Sequence, residues 1–142
     1  MAFVNTMDKL GDEVTISKII ERSITEYFDN SVQTIAGNAL QACTELEIVD
    51  TPALTSIASS SFSGCSTLIT LVLRNSTMTA LGSNVFKNTP IASGTGYIYV
   101  PRALVDSYKV ATNWATYAAQ FRALEDYTVD GTVTGDLDES KI

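Results

Sequence analysis

The thiols of Cys43 and Cys65, the carboxylates of Glu45 and Glu47, and the acidic trio Asp136, Asp138 and Glu139 are the groups in this chain whose types and spacing invite a chemical reading. Two carboxylates can divide acid and base work, and Glu45 and Glu47, two residues apart, would share one face of a strand. The trio could hold calcium weakly, though it lacks the ligand spacing of an EF-hand loop. None of these grows into a catalytic centre. The chain has no histidine, which removes His-based triads, His-ligated zinc and imidazole acid/base chemistry. Gly64-Cys65-Ser66 fails as a nucleophile elbow because Leu68 stands where G-x-S-x-G needs its second glycine. Gly94 and Gly96 open no G-x-G-x-x-G motif, and there is no phosphate loop. Glu45 and Glu47 therefore read as an exposed acidic face, and no enzyme activity, cofactor or metal is expected.

The cysteines carry more information through their separation. TIAGNALQACTEL, residues 34–46, returns 22 residues later as SIASSSFSGCSTL, residues 56–68. A stretched third copy follows. Val32, Leu54 and Met78 open the three copies, and Ile35, Ile57 and Leu81 come next. Leu40, Phe62 and Phe86 follow, then Cys43, Cys65 and Thr89, then Leu46, Leu68 and Ile91, with Val49 and Leu71 beyond. A period in the 20s is the signature of a solenoid whose coils stack one apolar face on the next. Leu68-x-x-Leu71-x-Leu73 reads as a strand entry with alternate side chains inward, and the Ser- and Gly-rich ASSSFSGC as a turn or one short helical turn. Stacking puts Cys43 and Cys65 on adjacent rungs about 5 Å apart, near disulfide range. The position is apolar in the repeat, however, so a buried ladder of reduced thiols is the expectation.

Both ends depart from the repeat. Ile24-x-x-Tyr27 reads as a strand that opens the stack. Ahead of it Ile16, Ile19, Ile20 and Ile24 keep helical spacing, with Thr15 or Asp12 as N-cap, and predict a helix over the open end. At the far end Tyr97–Val100 reads as a strand stopped by Pro101. Leu104, Val105, Tyr108 and Ala111 then recur at helical spacing, and a second short helix over 114–123 gathers Trp114, Tyr117, Ala118 and Phe121 on one face. That aromatic cluster reads as a cap on the last coil rather than a ligand platform. The division expected is an arm and capping helix over 1–23, a solenoid over 24–100, a helical cap over 101–125 and an acidic flexible tail over 126–142.

The unit Ile57-x-x-x-x-Phe62-x-x-Cys65-x-x-Leu68 resembles the BspA-type leucine-rich repeat. YIYVPRALVDSYKVATNWATYAAQF resembles the segment that often closes such repeats, with a VP-containing strand, a short helix bearing Tyr108 and Lys109, and then Trp114 and Tyr117. Leu40 departs from the family's usual Phe and Thr89 from its Cys. The resemblance implies an α/β solenoid, a short leucine-rich-repeat stack of about three coils with a helical N-terminal cap and a strand-helix C-terminal cap. Its core would be Ile35, Leu40, Cys43, Leu46, Val49, Leu54, Ile57, Phe62, Cys65, Leu68, Leu71, Leu81, Phe86 and Ile91. Its closing segment would rest on Tyr97, Val100, Pro101, Tyr108, Trp114 and Tyr117.

The family further implies adhesion or protein contact on bacterial surfaces, and similar short chains occur among phage and prophage structural proteins. The chain's net charge of −7 argues against a nucleic-acid or anionic-membrane surface, and no apolar run is long enough to span a bilayer. MAFVNTMDKLGDEV shows no basic n-region or long apolar h-region. The expected role is therefore a virion component, a capsid decoration or a tail or neck appendage. Its partners would be other virion proteins and its own copies in a homo-oligomer, and a host-surface protein or glycan is a further candidate. A bacterial surface adhesin and a cytoplasmic interaction module are the alternatives.

Overall fold

The computed structural model describes residues 24–129 throughout and, beyond them, the backbone of three short strands; side chains are described over 24–127. The strands are β1 (Met7–Leu10), β2 (Thr15–Ile19), β3 (Glu26–Phe28), β4 (Thr34–Ile35), β5 (Ile48–Asp50), β6 (Ser56–Ile57), β7 (Thr70–Val72) and β8 (Ala80–Leu81). After helix α1 (Pro90–Ser93) come β9 (Tyr97–Val100), helix α2 (Val105–Lys109), β10 (Phe121–Ala123), β11 (Thr128–Val129) and β12 (Thr132–Val133). Two sheets form the walls of the stack. Sheet A runs β3-β5-β7-β9-β10 and sheet B runs β1-β2-β4-β6-β8. Every pairing within them is parallel except β1 with β2. The chain thus climbs one rung in each sheet per turn of the coil, as the 22-residue repeat requires.

Register follows from the apolar rows. Tyr27, Val49, Leu71, Ile98 and Phe121 face one another across sheet A, and Ile35, Ile57 and Leu81 do so across sheet B, where the backbone of Ile16 is in register with Ile35. With side chains alternating along a strand, one residue of slip would turn each row to solvent, so burial fixes the register. The arcs between the sheets are tied coil to coil as well. Leu40 N–H donates to Ser61 O at 2.9 Å, Ala42 N–H to Ser63 O at 2.8 Å, Phe62 N–H to Val85 O at 3.2 Å and Gly64 N–H to Lys87 O at 2.8 Å. Hydroxyls reinforce this. Thr55 Oγ1 donates to Gln33 O, Thr67 Oγ1 to Thr44 O and Leu46 O, and Thr79 Oγ1 to Leu54 O.

Each arc bends through two left-handed positions, and these repeat with the coil. Asn38, Ser60 and Asn84 form one column at φ 62°, 61° and 56°; Ala42, Gly64 and Asn88 form the other at 58°, 80° and 62°. Gly and Asn tolerate that conformation, whereas a Cβ such as alanine's costs roughly 1–2 kcal/mol there. Ala42→Gly is therefore expected to stabilise the fold by about 1 kcal/mol, read as a rise of several degrees in melting temperature. Gly82 is required for a different reason. A Cβ on it would lie 2.6 Å from Ser59 N, so only glycine lets that turn press on the coil before it.

The N-terminal expectation is corrected. Thr15–Ile19 is a strand, not a capping helix, and Met7–Leu10, expected to be an unstructured arm, pairs with it antiparallel. Isoleucines at 16 and 19 fit a helical spacing, but β-branched residues also suit a strand, and the open ladder edge of β4 accepts β2 in parallel register. Ile20, Asp12 and the trio Asp136, Asp138 and Glu139 lie outside the described residues. In the tail expected to be flexible, Thr128–Val129 and Thr132–Val133 pair antiparallel. The expected helix over 114–123 is instead a 3-10 stretch, Ala115–Gln120, interrupted at Tyr117 (φ −106°, ψ 22°), followed by β10.

Candidate functional site

The repeat residues meet in one apolar cluster. Ile35, Leu40, Cys43, Leu46, Val49, Leu54, Ile57, Phe62, Cys65, Leu68, Leu71, Leu81, Phe86 and Ile91 all belong to it, with Val100, Tyr108 and Trp114 from the closing segment. Phe62 and Phe86 stack in parallel, centroids 6.0 Å apart, and Phe86 then meets Trp114 at 6.1 Å and the edge of Tyr117 at 5.2 Å. The aromatic column thus runs out of the repeats into the closing segment. Cys43 and Cys65 form no disulfide and are fully buried, and Cys65 Sγ lies 3.0 Å from Leu40 O. Alkylation under denaturing, non-reducing conditions should therefore modify both thiols, whereas the folded protein should react slowly. A mass showing a Cys43–Cys65 bridge would contradict this.

The edge of β8 is covered by side chains where another coil would otherwise supply backbone. Thr79 N–H donates to Tyr108 Oη at 2.7 Å, Trp114 Nε1 donates to Thr79 O at 2.7 Å, and Asn113 Nδ2 donates to Leu81 O at 2.7 Å. Gln120 Nε2 does the same for Gly96 O at 2.6 Å. Sequence reading found Tyr108 and Trp114 as apolar bulk but not as hydrogen-bonding groups. It missed Asn113 and Gln120 altogether, because a lone amide carries no periodicity. Of the other closing residues, Val100 is buried, Pro101 and Tyr117 are half-buried, and Tyr97 is exposed. Beside this edge Met78, Ala80, Leu81, Ala111 and Trp114 line an apolar groove.

The outer face of sheet A is unevenly covered. Phe28, Asp50 and Val72 stand in one outward row and are buried; Tyr99 continues the row half-buried, and exposed Arg122 ends it. Arg74 makes a two-pronged bond to Asp50, both contacts 2.9 Å. Burial pushes the Asp50 carboxyl up, more than its Arg74 partner pulls it down. Next to them, Tyr27 Oη donates to Asp29 Oδ2, and burial together with that carboxylate pushes the Tyr27 phenol far up. On the same face Tyr97, opposite Thr70, is exposed, and the Arg122 guanidinium sits 4.6 Å over its ring; Ile69, just before β7, is exposed as well.

Residues 16–99, well over half of the chain, match the BspA type leucine-rich repeat region in six copies. The chain belongs to that family. No curated protein and no solved structure matches it. Its departures from the BspA pattern have local causes. Thr89, in the column of Cys43 and Cys65, caps α1: its hydroxyl accepts from Ala92 N–H and donates to Phe86 O at 2.7 Å, which a thiol would do less well. Leu40 fills its place fully buried. Glu45 and Glu47 do not share a strand face in this BspA-type solenoid. Glu45 lies in a turn, Glu47 precedes β5, and both are exposed. Among the described residues no group of acids and cysteines is placed to hold a metal, and no helix is long and apolar enough to cross a membrane.

Proposed function

We propose that this BspA-type protein is a non-enzymatic contact module, and that it serves as a structural component of a phage particle, a capsid decoration or a tail or neck appendage. The contact reading is carried by Tyr97 of β9 and by Ile69 just before β7, which are 37% and 43% exposed and whose backbones meet through Tyr97 N–H donating to Ile69 O at 2.8 Å. An exposed aromatic ring under an arginine, with an exposed aliphatic residue nearby in the backbone, is the composition that protein interfaces favour at their centre. Around it the repeat surface is rich in hydroxyls and poor in charge: residues 32–100 carry only Arg74 and Lys87 against Glu45, Glu47 and Asp50. Residues 24–100 act as the solenoid and 101–125 as its C-terminal cap in this reading, with other virion proteins and further copies as partners.

The particle assignment is tested by mass spectrometry of virions purified from lysed host cells, which should contain the protein at fixed stoichiometry. Its recovery from the surface of intact cells instead would place it with bacterial adhesins. The contact reading is tested separately. Ile69→Ser with Tyr97→Ser should weaken incorporation or self-association at least about tenfold, the effect of losing one good anchor. Melting temperature should fall by only a few degrees, since each side chain keeps more than a third of its surface in water.

A further inference from the structure

Residues 75–86 and 110–121 hold neither an acid nor a base, although charged residues make up 18% of the chain. The fold joins these two stretches at the last strand of sheet B. Trp114 is bonded to Thr79 and Asn113 to Leu81, and beside those bonds runs the apolar groove of Met78, Ala80, Leu81, Ala111 and Trp114. Met78 is exposed on its rim. Val110, next in sequence to Ala111, is 81% exposed, more than any other large apolar side chain among the described residues. The nearest charges on α2, Asp106 and Lys109, are opposite in sign and three residues apart, so they offset each other. Side chains of Tyr108, Asn113 and Trp114 already bond the edge of β8, so a partner meets side chains here rather than a bare ladder.

We propose that this end of the solenoid is a dimer interface, in which Val110 of each of two copies fills the groove beside β8 of the other. Exposed apolar groups on a face without charge are the composition of an interface core. The chain's own charge selects the occupant. At −7 per copy, two copies repel each other on approach, and acids such as Glu45, Glu47, Glu125 and Asp126 are exposed elsewhere on the fold. Across the uncharged face two copies meet with no like charges opposed. The patch is also self-complementary, because a protruding valine and an open groove lie side by side on it. A two-fold rotation sets each valine over the other copy's groove, and the contact closes at two. The inference rests on the contact reading in taking a further copy as partner. It uses the end of sheet B rather than Ile69 and Tyr97, so either can fail without the other.

The test is sedimentation equilibrium of the full chain over a series of concentrations. The parent should pass from monomer to dimer and no further. Val110→Asp brings two carboxylates into the contact and should raise the dissociation constant at least about tenfold. Its melting temperature should barely move, since the side chain it replaces is mostly in water. Thr112→Glu, on the groove's rim, should weaken the dimer in the same way. Added salt should tighten the parent dimer, because it screens the repulsion between copies and has no ion pair to break. Ile69→Ser with Tyr97→Ser should leave this dimer intact. A parent that stays monomeric up to roughly millimolar concentration overturns the proposal. So does a dimer that salt dissociates, or one that Val110→Asp and Thr112→Glu both leave unchanged. A dimer lost with Ile69→Ser and Tyr97→Ser but kept by Val110→Asp would move the interface to sheet A, refuting this assignment while upholding the contact reading.

Discussion

Leu71→Asp should abolish the cooperative unfolding transition of this protein, whereas Thr70→Asp, one residue earlier, should leave it nearly unchanged. Leu71 is fully buried and stands in register between Val49 and Ile98. Aspartate there removes a leucine's worth of apolar burial, about 2–5 kcal/mol for truncation alone. It also places a carboxylate among aliphatic groups, where it must be protonated or drag water in, at several kcal/mol more. Domains of this size hold only about 5–15 kcal/mol in total. Thr70 points to the opposite side of β7 and is half-buried, so a carboxylate there keeps most of its water and should cost about 1 kcal/mol or less. The pair is measured by circular dichroism melting. Equal melting temperatures for Leu71→Asp and the parent would mean that the rows drawn across sheet A are wrong by a residue.

That contrast depends on a feature the sequence displays openly. Ile35 and Ile57, Cys43 and Cys65, and Val49 and Leu71 repeat at a constant 22-residue step, and stacking in parallel is the one arrangement that turns a constant step into shared burial. The step changes where the coil changes. Ile57 to Leu81 spans 24 residues and Leu71 to Ile98 spans 27, and α1 lies within the second stretch. The ends were harder to read because their partners are not periodic. Ile16 and Ile19 satisfy a helical and an extended pattern alike, and what decides is the unpaired edge of β4, which no local sequence announces. The turn columns are legible only in part. Asn38, Asn84, Asn88 and Gly64 advertise a left-handed backbone, but Ala42 and Ser60 occupy the same columns without saying so. The seat of Leu124 and Tyr127 against Val72 was hidden for a similar reason. Leu124 ends the stretch expected as a helical cap and Tyr127 stands in the acidic tail expected to be flexible, and their burial depends on a face that exists only after the coils have stacked.

Closure of the last coil yields the second large effect, and it separates packing from hydrogen bonding at a single residue. Trp114 is the chain's one tryptophan and is 1% exposed. Its ring meets Phe86, Tyr108 and Phe121 at 6.1, 5.2 and 5.8 Å. Trp114→Ala should cost about 3–5 kcal/mol from lost burial and the cavity left behind. The Thr79 carbonyl, which Trp114 Nε1 satisfies, would lose its donor at about 1–3 kcal/mol more unless water enters. Trp114→Phe keeps most of the aromatic contact and deletes the N–H, so it should lose about 1–3 kcal/mol, chiefly that second cost. Melting must be followed by circular dichroism, since fluorescence disappears with the residue. The expected order of melting temperature is parent, then Phe, then Ala. The Ala variant should also scatter light on warming well below its own transition, because freeing β8 offers an unpaired strand edge to other molecules. A Phe variant as stable as the parent would show that the Thr79 carbonyl has no need of the indole. Trp114 would then close the coil by bulk alone.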